Sequence, residues 1–140
     1  LKVTLLKLFE TLFTFSSAEE PMDEQSIISE MTVYIKKNLA QDLSISTLSN
    51  GYGIDQRKLH YLFQKYMGLC PKKYITAIRM RSAKEMLSHE TIAISEIAHK
   101  VGYQDVYYFS RAFKKVTGYS PTMYRRRFEK SPFIMSENPF

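Results

Sequence analysis

Residues 102–125 read GYQDVYYFSRAFKKVTGYSPTMYR, and the spacing of glycine, aspartate, phenylalanine and proline in this stretch decides the fold. Gly102 can take the left-handed backbone conformation that stops a helix. Asp105, three residues on, suits the N-cap of the next helix. Phe109 and Phe113 are four apart, so a helix places both rings on one buried face. Gly118 closes that helix, and Pro121 opens another at a position where its missing N–H does no harm. Upstream, Ser95 to Val101 reads as a short helix that ends at the Gly102 turn. Helix, glycine turn and second helix make up the helix-turn-helix unit, whose second helix enters the DNA major groove.

The same grammar occurs once more. Ile45, Leu48, Tyr52, Gly53 and Ile54 match Ile94, Ile97, Val101, Gly102 and Tyr103 at an offset of 49. Asp55, Leu59, Phe63, Lys65, Gly68, Pro71 and Tyr74 match Asp105, Phe109, Phe113, Lys115, Gly118, Pro121 and Tyr124 at an offset of 50, one residue having been inserted in the second turn. The expected organisation is a first helix-turn-helix over about 43–68, a linker helix over about 71–88 and a second helix-turn-helix over about 94–118. At about 1.5 Å per residue the linker helix is about 27 Å long. That approaches the roughly 34 Å between successive major-groove faces on one side of a duplex. Tandem rather than two-fold-related units predict an asymmetric site.

Before the repeat, Ile27, Ile28, Met31, Tyr34, Ile35 and Leu39 mark a helix from Asp23 to about Ala40. Asp23 and Glu24 suit its N-terminal dipole, and Lys36 and Lys37 its C-terminal end. Leu1, Leu5, Leu8, Leu12 and Phe15 recur at helical spacing, and Ser16 to Met22, with Pro21, reads as a linker. Residues 1–22 are expected to be an apolar helix and linker, 23–130 to form the DNA-binding domain, and 131–140 to be a tail. The fold class is all-α: two helix-turn-helix subdomains of homeodomain-like type on a long linker helix.

Charge points to the partner. The chain of 140 residues carries +6 overall, but residues 1–40 hold four basic and six acidic side chains while 41–130 hold sixteen and seven. A basic body of this kind suits a polyanion, here double-stranded DNA. Cys70 is the single cysteine, so no internal disulfide is possible, and a reducing cytoplasmic location at the nucleoid is expected. No apolar run reaches membrane-spanning length, and Leu1 to Phe15 lacks a signal-peptide cleavage site. His89 and His99 have no partner at metal-ligand spacing, and neither a metal nor another cofactor is expected. With no paired-carboxylate, phosphate-loop or nucleophile motif, an enzyme is not expected either.

The faces opposite the core carry the candidates for reading DNA. In the first unit these are Arg57, Lys58, His60 and Tyr61, and in the second Val106, Tyr107, Ser110 and Arg111. Arginine can pair with guanine through two hydrogen bonds, Ser and His can donate to base edges, and Val106 and the tyrosine rings can pack on thymine methyls. Lys65, Lys114, Lys115, Arg125 and Arg126 are candidates for phosphate contact.

Ile94, Ala98, Gly102, Tyr103, Asp105, Phe109, Ser110, Arg111, Phe113, Lys114, Gly118, Ser120, Pro121, Tyr124 and Arg125 together strongly resemble the signature of the AraC/XylS family of transcription regulators. The resemblance covers about residues 25–128. It implies a seven-helix, two-lobed DNA-binding domain, usually an activator that contacts RNA polymerase and often follows a sensing or dimerising domain through a leucine-rich helix. A homodimer through that helix or that domain is part of the implication. The first unit departs from the pattern at Ser49, Gly51 and Tyr61, where the family often has a small residue, a helix former and an arginine. In the second, Tyr107 stands where a small or polar side chain is common. Tyr61 and Tyr107 also motivate the alternative, a protein-interaction module that keeps the fold without binding DNA.

Overall fold

Seven helices account for the regular structure of residues 22–89 and 91–128, the part of the chain that the structure, a computed structural model, describes. They are α1 (Glu24–Lys37), α2 (Ile45–Tyr52), α3 (Gln56–Met67), α4 (Pro71–His89), α5 (Ile94–Lys100), α6 (Val106–Thr117) and α7 (Pro121–Phe128). The expected helix over Leu1 to Phe15 and the expected tail lie outside the described residues.

Two cores form, one for each repeat. Ile28, Met31, Ile35, Leu43, Leu48, Leu59, Leu62, Phe63 and Ile75 make the first. Met80, Ala83, Leu87, Ile97, Ala98, Val101, Phe109 and Phe113 make the second. Helix α4 belongs to both: Ile75 enters the first core, and Met80, Ala83 and Leu87 enter the second. At about 100° per residue, those three lie about a third of a turn round the helix from Ile75. The linker therefore has two apolar stripes facing two lobes. Helices α1 and α2 pack on α3, and α3 on α4; α4 in turn packs on α5 and α7, while α6 packs on both α5 and α7.

The repeat is visible in hydrogen bonds and ring contacts. Ile54 N–H donates to the Ser49 carbonyl at 3.1 Å, and Tyr103 N–H donates to the Ala98 carbonyl at 2.8 Å, closing equivalent turns. Phe63 and Tyr74 have ring centroids 5.4 Å apart, and their counterparts Phe113 and Tyr124 have theirs at 5.3 Å. Ser49 fits its buried position because its hydroxyl donates to the Ser46 carbonyl at 3.1 Å within the same helix.

Helix α1 stops at Lys37, short of the expected Ala40. Asn38 is the reason. Its side-chain amide donates to the Tyr34 carbonyl at 2.8 Å, the acceptor that a continuing helix would offer to the Asn38 backbone. Its N–H bonds instead to Ile35 at 3.2 Å, and Leu39 still packs against the first core from the loop.

Candidate nucleic-acid interface

Helices α3 and α6, the second helices of the two units, have twelve residues each and are held in the same way. Asp55 accepts the Lys58 N–H at 2.7 Å, and Asp105 accepts those of Tyr107 and Tyr108 at 2.8 and 3.4 Å. Leu59, Phe63, Phe109 and Phe113 are wholly buried, which fixes the inner faces. The outward faces follow from that. Arg57, His60, Tyr61 and Gln64 are exposed on α3, and Tyr107, Tyr108, Arg111, Lys114 and Lys115 on α6. In the repeat register Arg57 stands with Tyr107, Lys58 with Tyr108, His60 with Ser110, and Tyr61 with Arg111.

Tyr107 is 78% exposed, the most of any large hydrophobic side chain among the described residues, and Tyr108 is 58% exposed. Burial against a partner would remove that apolar area from water. Tyr108 was not among the candidates named from sequence, although its register with Lys58 would have found it. Ser110 is half-buried. Val106 packs against the second core, so its side chain divides between the lobe and the surface.

The charges are arranged by neighbours that no local spacing reveals. Glu24, at the start of α1, pairs with Lys58 and also with Lys65, whose ammonium lies 2.9 Å from the carboxylate. The hydrogen bonds from Lys58 and Lys65 hold the Glu24 carboxyl at about 2, well below the usual carboxylate range, and the same contact raises Lys65. Both ammonium groups also lie over the Tyr61 ring, at 5.2 and 5.4 Å from its centroid. Two of the cations expected to meet DNA are thus partly neutralised from within the chain. At the head of α2, Asp42 accepts from Thr47 Oγ1 at 2.7 Å and from the Ser44 N–H at 2.9 Å, which holds its carboxyl below the ordinary value.

Arg125, a candidate for phosphate contact, is the least exposed of the arginines on α7. It is half-buried, and its Nη2 donates to the Ile92 carbonyl at 2.7 Å, bracing α7 against the loop before α5. This bond engages part of the guanidinium within the chain. Arg126 remains exposed, and Arg127, also exposed, lies 5.2 Å from the Tyr119 ring.

A family model described as a helix-turn-helix domain matches residues 48–127, from the first helix-turn-helix through α7. The lactose operon transcription activator of Staphylococcus xylosus is 35% identical over 95 residues, 68% of this chain and 34% of that protein. The C-terminal domain of AraT, a response regulator from Geobacillus stearothermophilus, superposes with a TM-score of 0.72 at 32% identity, covering 87% of this chain and 98% of that one. The chain belongs to the AraC/XylS family of transcription regulators. Its fold is the family's two-lobed DNA-binding fold. The DNA-binding domain of AdpA, solved in complex with a target DNA, shares the fold at a TM-score of 0.68 and 20% identity, with 71% of this chain and 90% of that one covered. The chain spans 34% to 45% of the length of curated relatives it matches. Among the described residues, no helix is long and apolar enough to cross a membrane.

Proposed function

We propose that this chain is the DNA-binding end of an activator that lays α3 and α6 in successive major grooves of one asymmetric site. The observation that carries the reading is the tandem repeat itself: two helices with matching caps and buried faces, joined through a 19-residue helix. Arg57, His60 and Tyr61 on α3, and Tyr107, Ser110 and Arg111 on α6, read base edges, with Val106 and Tyr108 packing beside them. Lys114, Lys115 and Arg126 contact phosphates, as do Lys58 and Lys65 when DNA competes with Glu24 for them.

In this reading residues 23–130 are the DNA-binding domain, and residues 1–22 join it to a sensing or dimerising domain. The regulator works at the nucleoid in the cytoplasm and contacts RNA polymerase, without enzymatic activity of its own. Homodimers form through the N-terminal segment or the domain before it. In vitro selection of duplexes, followed by sequencing of the bound pool, tests the reading. It is expected to yield two unlike half-sites about one helical turn apart. A palindrome, a single short motif or no enrichment would overturn it.

A further inference from the structure

A guanidinium bridges the two lobes. Arg79 sits on α4 between Ile75, which faces the first core, and Met80, which faces the second. Its Nε and Nη2 donate to the Leu39 carbonyl at 3.3 and 3.1 Å, and Nη2 also donates to the Gln41 carbonyl at 3.3 Å. These acceptors lie in the loop that leads from α1 into α2. On its other side the guanidinium lies 5.8 Å from the centroid of the Tyr103 ring, in the turn that leads into α6. Gly102 in that turn has φ +94°, and a Cβ there would overlap the Leu39 carbonyl oxygen and crowd the Arg79 guanidinium. Around these contacts the seam is open: a cleft of about 830 Å³ runs between the lobes, lined by Asp42, Lys72, His99 and Gln104 among others.

We infer that Arg79 is a positioning residue that sets the spacing and angle between the two reading helices, and through them the half-site spacing the protein accepts. The geometry gives the reason. A planar fork can hold two carbonyls and a ring face at once, while an ammonium on a flexible stem cannot. Beside this open cleft, loss of the fork removes its hydrogen bonds to the loop before α2 and its contact with the Tyr103 ring. Each lobe keeps its own core and reading face, but their relation to one another loosens. The inference rests on the two-groove reading above, and its test separates the two.

The test uses the duplex recovered by selection and the same duplex with one base pair inserted between its half-sites. The wild-type chain is expected to bind the inserted duplex about 30-fold more weakly, a loss comparable to a mismatch inside a specific site. Arg79→Met and Arg79→Lys are both expected to reduce that ratio to about 5-fold or less, as a loosened seam tolerates the shifted half-site. The ratio is insensitive to partial unfolding, because both duplexes meet the same folded fraction. Unchanged discrimination in both variants would overturn the role of Arg79 alone. Full discrimination in Arg79→Lys with loss in Arg79→Met would also overturn it, since charge rather than the fork would then be what matters. A wild-type chain indifferent to the insertion would overturn the two-groove reading and this inference together.

Discussion

Gly51 lies inside α2 in helical conformation, and a methyl group there would meet nothing within 4 Å. Glycine in a helix interior costs about 1 kcal/mol relative to alanine. Gly51→Ala is therefore expected to stabilise the chain by about 0.5–1 kcal/mol, which thermal denaturation would read as a rise of several degrees; a lower Tm would contradict the open surroundings. Gly102 is the opposite case, since its positive φ and the Leu39 carbonyl leave no room for a side chain. For Glu24 the expected effect is on binding. Because it pairs with Lys58 and Lys65, Glu24→Gln should free both for phosphates. Affinity for a random duplex is expected to rise, and the salt dependence to steepen by up to about 0.9 in log–log slope for each lysine that gains a phosphate. An unchanged slope would mean that neither lysine reaches the backbone.

At the scale of the helix, the legible features were those written locally. The glycine turns, the Asp55 and Asp105 caps and the phenylalanines four apart all act within a few residues, so their spacing located α2, α3, α5 and α6. Arg79 and Arg125 were not legible in that way, because their carbonyl partners stand 40 and 33 positions away. Glu24 meets Lys58 and Lys65 from another helix for the same reason. The α1 terminus was misread because Asn38 spends its side chain on the Tyr34 carbonyl, a choice that apolar periodicity does not report. These placements separate two arginines near the C-terminal end. Arg111 is exposed on α6, and Arg111→Ala should cost about 1–3 kcal/mol in binding the selected site and relax one or two base positions. Arg125→Ala should instead lower folding stability by about 1.5–3 kcal/mol, the range for a hydrogen bond to a charged group, with the salt slope unchanged. Urea denaturation and salt titration of the two variants distinguish these outcomes, and an exchange of effects would reverse the assignments.

For the whole molecule, one long helix carries two lobes on two different stripes, and each lobe presents one exposed helix face. At about 1.5 Å per residue, the 19 residues of α4 span about 28 Å, within reach of the roughly 34 Å between grooves on one face of a duplex. The two faces are chemically unlike: Arg57, His60 and Tyr61 on one, Tyr107, Ser110 and Arg111 on the other. A site read by them in tandem has two different halves and needs only one copy of the chain. Hydroxyl-radical footprinting of the selected duplex, bound at one chain per duplex, tests this most directly. The expected pattern is two protected patches on one face of the DNA, about one helical turn apart and without two-fold symmetry. A single patch, or a symmetric pattern that appears only at two chains per duplex, would contradict it.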